Sequence, residues 1–286
     1  MARCRACLTL AAFLLIIAGT PAAEPEVLNL PVRKIAEVTK LKTVPAPGAK
    51  EQKQALTSQM APVFTTYEVD PKKCAVVVCD MWDDHWCKSA SKRCGELAKR
   101  TEPVLKACRD RGMTIIHCPS DTMSFYKDHP ARTRALGAKK AAPPKAKELP
   151  NPPLPVDDSD GGCDDEKPAK PFKAWSRQHA AITIDEAKDY ITDSGAEVYN
   201  VLKEKGLDTV LVLGVHTNMC VLNRTFAIKQ LVKWDVRTVL VRDLTDAMYN
   251  PKMKPFVDHD KGTQLIIEFI EQHWCPTTES KALLGK

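Results

Sequence analysis

Several things are missing from this sequence, and each absence narrows what the chain does. The formal charge is only +6, both signs are interspersed, and no run of Lys and Arg is interleaved with aromatics. Nucleic-acid recognition is therefore not expected. Beyond the N-terminal leader no stretch approaches the roughly 18 apolar residues of a membrane-spanning helix. The same region contains no C-x-x-C pair, which removes the commonest spacing signal for structural zinc. No internal repeat is visible. What remains is 286 residues with a hydrophobic fraction of 44%, ordinary for a globular chain of one large domain or two small ones.

The N-terminus reads as a targeting segment. Arg3 and Arg5 form a positive region, Leu8 to Ala18 is apolar but short for a bilayer span, and Thr20-Pro21-Ala22-Ala23 offers small residues for cleavage. Residues 1–23 are expected to be a signal peptide and the mature protein to be exported, periplasmic or secreted, with no membrane association after cleavage. An uncleaved anchor is the other reading of the same segment. Of 11 cysteines, Cys4 and Cys7 fall in the leader, and the remaining nine are an odd number. At least one thiol then stays free or pairs between molecules, while others can pair in an oxidising compartment. Cys87 and Cys94 could bridge across a short loop. Cys74 and Cys79 read as buried apolar residues.

Residues 24–68 show little periodicity and read as an extended lead-in. Ala75 to Asp80 is a Val-rich apolar run, suited to a strand buried on both faces of a parallel sheet. A helix over 91–111 and a strand over 113–117 follow. The stretch 137–172 holds eight prolines and an acidic cluster from Asp157 to Glu166, and reads as an insertion or lid. Beyond it the pattern predicts a short strand over 180–184, a helix over 195–205, strands over 209–213 and 236–241, and helices over 219–233 and 262–273. Alternation of strands and helices implies a three-layer α/β/α domain, residues 69–280, with a mostly parallel, Rossmann-like sheet.

Ligands in such sheets bind beyond the carboxyl ends of the strands. Asp80 lies there on the first strand. Cys220 lies there on a later one, at the end of Gly214-Val215-His216-Thr217-Asn218-Met219-Cys220. This places a thiol near a helix N-terminus, where unpaired N–H groups favour a thiolate and can hold an oxyanion. His117, Asp121 and Asp243 follow strands that end on the same rim. A buried structural thiol is the alternative for Cys220, and the flanking motif argues against it.

Cys79-Asp80-Met81-Trp82 and the Gly214–Cys220 turn, about 140 residues apart, resemble the isochorismatase-like cysteine hydrolases, the family that includes nicotinamidases. The resemblance covers roughly residues 70–278 and departs from the family at Trp82, where a Gln is usual. It implies an isochorismatase-like fold and an Asp–Lys–Cys triad. In that triad Cys220 attacks a carbonyl carbon to give a thioester, and Asp80 moves protons. Lys188 supports the anionic state, with Arg177 and Lys173 as competing cations. It also implies a non-proline cis peptide in Gly214-Val215-His216 and an oxyanion hole around Val215, His216 and Thr217. Trp82, His85, Arg177, Asn218 and Arg224 are candidates for contacting substrate, His85 and Arg224 having packing or helix-stabilising roles as alternatives. Arg242 to Tyr249 is read as a cap organising the rim.

No cofactor is expected. The metal-binding Asp-x-His of nicotinamidases has no counterpart in Cys118-Pro119-Ser120-Asp121-Thr122-Met123; Asp121 and His129 are the candidate ligands if a divalent metal is bound, though their number and spacing suit one poorly. The expected partner is a small-molecule substrate, in a homo-oligomeric protein. Two other functions compete: cleavage of a vinyl ether, as by an isochorismatase, which needs no thiol, and a binding module on the same fold whose triad has lapsed.

Overall fold

The computed structural model describes residues 27–45 and 52–284; the leader assigned above lies outside the described residues. In chain order the elements are β1 (Leu28–Pro45), β2 (Gln52–Val69), β3 (Cys74–Cys79), α1 (Lys88–Asp110), β4 (Thr114–Cys118) and α2 (Pro130–Gly137). Then come β5 (Tyr190–Ile191), α3 (Gly195–Glu204), β6 (Thr209–Val215), α4 (Cys220–Asn223), α5 (Ile228–Lys233), β7 (Arg237–Asp246), α6 (His259–His273), β8 (Thr277–Thr278) and α7 (Lys281–Leu284).

One eight-stranded sheet runs in the order β2-β1-β8-β7-β6-β3-β4-β5. From β5 through β8 neighbouring strands are parallel, while β1 is antiparallel to both β2 and β8. The Val-rich run explains the layering. In β3, Ala75, Val77 and Cys79 face one core with Val198, Phe226, Leu231 and Ile270. Cys74, Val76 and Val78 face a second core with Leu97, Leu105 and Leu283. Alternate residues of a strand point to opposite faces, so a strand covered on both sides must be apolar throughout. The architecture is thus the expected α/β/α sandwich, with α1 and α7 on one face and α3, α5 and α6 on the other.

Four expectations about elements are corrected. The lead-in segment is a long β-hairpin, in which Leu28 pairs with Val69 and Pro45 with Gln52. Its base is held by Leu30, Val32 and Val69, all buried. No strand forms over 180–184: Ile182 turns back on His179 O (3.1 Å) and buries its side chain, and the edge strand is β5 instead. The helix expected over 219–233 is broken between α4 and α5, because Arg224 leaves helical geometry at φ −60°, ψ 154°. Finally, the bridge from Cys87 goes to Cys163, with the Cα atoms 5.6 Å apart. Cys94 is buried in α1 with its Sγ 3.6 Å from Trp82 O.

The insertion has neither helix nor strand between α2 and β5, yet it is anchored along its length. Lys147 N donates to Lys233 O and Asp157 N to Lys254 O, both at 2.9 Å. Gly162, at φ +71°, lies so close to Met248 O that a Cβ there would sit 2.3 Å away. The Cys87–Cys163 disulfide then ties the segment to the start of α1.

Candidate active site

The parallel strands bring Asp80 and Cys220 to one rim. Cys79 pairs with Gly214 across β3 and β6. The approach is so close that a Cβ on Gly214, at φ +115°, would lie 2.0 Å from Cys79 O. Only glycine fits there, which is the structural reason the motif begins with one. The Val215-His216 peptide is cis, as the resemblance implies. Asp80 itself has φ +47°, a left-handed conformation that costs a non-glycine residue ~1–2 kcal/mol and gathers at functional sites.

The Asp80 carboxylate is fully buried. Its Oδ1 accepts Ser120 N at 2.6 Å and its Oδ2 accepts Arg224 Nε at 3.1 Å. Arg224 Nη2 lies 3.6 Å from Asp121 Oδ2 at the surface. Burial pushes the Asp80 pKa up from the ordinary carboxylate value, while Arg224 and the Ser120 amide oppose that rise. Burial also pushes the Cys220 thiol up, to about 12, helped by the Asp80 charge and countered by Arg224. For Arg224, burial opposes the charge, but Asp80 and Cys220 outweigh it and hold its pKa above the ordinary arginine value.

This overturns the expectation of a helix-stabilised thiolate. A four-residue α4 has little dipole to offer, so desolvation wins. Burial thus favours the protonated thiol over the thiolate.

The third charged group is not the expected lysine. Lys188 is exposed and pairs with Asp185 at 3.9 Å. It lines a pocket with Gly112, Met113 and Thr114 at the amino end of β4, opposite the rim that carries Asp80 and Cys220 and ~13 Å of strand away. Neighbouring Asp189 explains why the segment sits there: its buried carboxylate is bound by Arg109 Nη2 (2.7 Å) and His117 Nε2 (2.9 Å). Arg177 stacks its guanidinium over Phe125 at 5.6 Å, and Lys173 Nζ donates to Asp121 O. The cation beside Asp80 and Cys220 is Arg224, which the sequence had marked as a substrate contact.

Other assignments also change. The Thr217 amide donates to Asp246 O (2.9 Å), so that N–H is already engaged and is not free to hold an oxyanion. Val215 is a buried residue of β6. Among the amides of the turn, that of Cys220, the first residue of α4, is without an intrahelical acceptor by position. Asn218 is fully used: its Nδ2 donates to Asp158 (2.8 Å) and Met248 O (3.0 Å), and its Oδ1 accepts from Met248 N (2.9 Å). The segment around Met248 therefore does brace the rim, as expected of a cap.

Trp82 stacks on Trp175 at 4.2 Å and donates Nε1–H to Ser120 O. His85 packs among Trp86, Trp175 and His216. Burial lowers the pKa to about 4 for His85 and about 3 for His216. This aromatic block touches the turn through the His85–His216 ring contact at 5.0 Å.

Asp121 and His129 are not brought together as metal ligands. Asp121 faces Arg224, while His129 Nδ1 caps α2 by accepting from Ala131 N. Among the described residues the one triple with ligand spacing is Cys87, Cys163 and Asp165, and its two sulfurs are joined in the disulfide.

Cys220 opens onto a cleft of about 390 Å³ lined by Leu154, Asp158, Asn218, Met219, Asn223 and Arg224. It is half-buried, whereas every other free cysteine among the described residues is buried. Leu154 and Asp158 were missed by sequence reasoning, since a Pro-rich insertion carries no spacing code for what it will face. A second network, also unforeseen, joins the insertion to the body: Arg93 binds Asp164 (2.7 Å) and Asp246 (3.0 Å), and His259 Nε2 meets Asp246 at 2.9 Å.

A doubly covered parallel sheet with a thiol, a buried carboxylate and a cation on its carboxyl rim defines a class, and comparison with known proteins gives the family. The isochorismatase domain matches residues 74–255, nearly two-thirds of the chain. The chain belongs to the isochorismatase family, the isochorismatase-like cysteine hydrolases to which the two motifs point.

Among solved structures it is similar to a cysteine hydrolase from Pseudomonas syringae pv. phaseolicola 1448A, at 16% identity and TM-score 0.47, over 76% of this chain and 93% of that one. It is also similar to an isochorismatase family protein from Burkholderia thailandensis (13%, 0.43, 75% and 95%). N-carbamoylsarcosine amidase from Thermoplasma acidophilum is another (14%, 0.40, 73% and 96%). No curated protein matches the chain.

Proposed function

We propose that the protein is a cysteine hydrolase of a small amide or related carbonyl substrate, with Cys220 as nucleophile, Asp80 as proton carrier and Arg224 as the supporting cation. The observation that carries this reading is the juxtaposition at the mouth of the cleft. The half-buried thiol stands with a buried carboxylate that is itself ion-paired to the guanidinium.

In the first half-reaction Cys220 Sγ bonds to the carbonyl carbon while its proton passes to Asp80. The raised pKa of Asp80 suits it to hold that proton. The developing oxyanion is met by the Cys220 amide. Asp80 then gives the proton to the leaving nitrogen, the C–N bond breaks, and the amine or ammonia departs from a thioester. In the second half-reaction Asp80 takes a proton from water, the hydroxide oxygen adds to the thioester carbon, and the C–S bond breaks. The acid is released and the thiol regains its proton. Arg224 stays charged throughout, so its contribution is electrostatic.

The same geometry bears on the lapsed-module reading. That reading was motivated by the loose match around Lys188 and by Trp82 in place of the usual Gln; the position of Arg224 beside Asp80 bears on the first of these.

The test is turnover of a panel of small primary amides and carbamoyl compounds, followed by ammonia release. The wild type is expected to act on members of the panel, with Cys220→Ala and Asp80→Asn losing at least roughly 10³-fold while their unfolding curves stay close to wild type. Full activity in Cys220→Ala sinks the proposal, and activity on isochorismate independent of Cys220 would favour vinyl-ether cleavage.

A further inference from the structure

Resting on that reading, we infer that the cleft selects substrates carrying a positive charge or an N–H donor beside the scissile carbonyl. Asp158, on the insertion, is the recognising group. The charges at the cleft divide into those already satisfied and those with capacity to spare. Arg224 pairs with Asp80 on its inner side and lies 3.6 Å from Asp121 on its outer side, so much of its charge is offset by carboxylates of the protein. Asp158 lines the same cleft as the Cys220 thiol. It accepts one hydrogen bond, from the neutral amide of Asn218, and makes no ion pair among the described residues. A carboxylate with spare acceptor capacity, facing a small cleft, favours ligands that bring a cation or an N–H group.

The wall is also prebuilt. Asn218 is locked on both faces of its amide by Met248. The chain on either side of Asp158 is held by Asp157 N to Lys254 O and by the Cys87–Cys163 disulfide. A recognising group held this way loses little freedom on binding. Two lysines stand at the rim, and both have polar partners: Lys229 Nζ donates to Asn223 Oδ1 (2.8 Å) and Lys173 Nζ to Asp121 O. Leu154 and Met219 provide an apolar side to the cleft, and its volume suits a small molecule.

The experiment measures the charge preference of the cleft without needing a substrate. Methanethiosulfonates of opposite charge, one with a trimethylammonium group and one with a sulfonate, react with Cys220. The sulfur displaces methanesulfinate to give a mixed disulfide, and the thiol proton goes to buffer. Rates are read on the Cys220 peptide by mass spectrometry and divided by each reagent's rate with 2-mercaptoethanol. At low ionic strength the cationic reagent is expected to be faster by roughly tenfold, and the ratio should shrink as salt is added. Asp158→Asn, which keeps an oxygen in place of the carboxylate without its charge, should cut the ratio by about threefold or more.

A ratio near one, an inverted ratio, or a ratio unmoved by Asp158→Asn overturns the inference, and so does failure of both reagents to reach Cys220. None of these outcomes depends on turnover. Loss of the hydrolase reading would instead appear as activity surviving in Cys220→Ala.

Discussion

Replacing Arg224 by Gln removes the one cation within ion-pair distance of Asp80 among the described residues. The size of the effect can be worked from the geometry. At the 3.1 Å separation of Arg224 Nε and Asp80 Oδ2, Coulomb attraction in an effective dielectric of ~20 is ~5 kcal/mol. About a third of the arginine side chain is exposed, so solvent screening brings the usable part down to ~2–3 kcal/mol. At about 1.36 kcal/mol per pH unit, Asp80 should titrate ~2 units higher in the variant. Its pKa is already raised by burial, and the further rise leaves less carboxylate to receive the thiol proton near neutral pH.

The assay is a 13C titration of aspartate-labelled protein, with the Asp80 signal identified by its loss in Asp80→Asn. Arg224→Gln should move that midpoint up by ~2 units, and Arg224→Lys, which keeps the charge but not the planar fork, by less than half as much. A midpoint that stays in place in Arg224→Gln refutes the assignment of Arg224 as the charge partner of the site.

Other consequences concern the frame that holds this rim. Burial works against the Asp189 carboxylate, but hydrogen bonds from His117 and Arg109 hold its pKa at about 2. A pKa depressed in the folded state gives stability that is complete above the unfolded value near ~4. It is lost as pH falls toward about 2, so urea unfolding should show ~2–3 kcal/mol disappearing over that window, and not in Asp189→Asn. Gly214→Ala should destabilise by ~3–5 kcal/mol in the same assay, because its Cβ meets Cys79 O in a left-handed backbone; a change under about 1 kcal/mol contradicts the packing described. Cys163→Ser should lower stability by ~2–4 kcal/mol by opening a loop of 76 residues. It should also speed proteolysis within residues 139–178, whereas an unaltered cleavage pattern means that the disulfide does not hold the insertion.

The sandwich and the positions of Asp80 and Cys220 were legible because both depend on local pattern. A doubly buried strand must be apolar at every residue, and a glycine-led turn at its end can only present the next residues on the carboxyl rim. Lys188 was misplaced because spacing along the chain does not say to which end of the sheet a loop returns. That was decided by Asp189, through a buried pairing with Arg109 and His117 that belongs to tertiary structure. The role of Arg224 was hidden because the segment reads as continuous helix. Only the break after Asn223 turns its guanidinium toward Asp80. The hairpin was unreadable for a different reason: apart from Leu30, Val32 and Val69, its residues of described burial are exposed or half-buried on both faces, so no sustained alternation of apolar residues marks its strands. Asp158 is visible in the sequence as one of an acidic group, but its place in the wall of the Cys220 cleft is set by anchors scattered over Cys87, Asn218, Met248 and Lys254.

The central claim is that Cys220 forms and breaks a covalent bond to substrate. It is tested most directly by rapid-quench mass spectrometry of the enzyme turning over an amide found active in the panel. The predicted result is a transient acyl adduct on the Cys220 peptide, discharged by hydroxylamine and appearing with the first equivalent of ammonia. Steady turnover with no adduct on Cys220, persisting in Cys220→Ala, would contradict it.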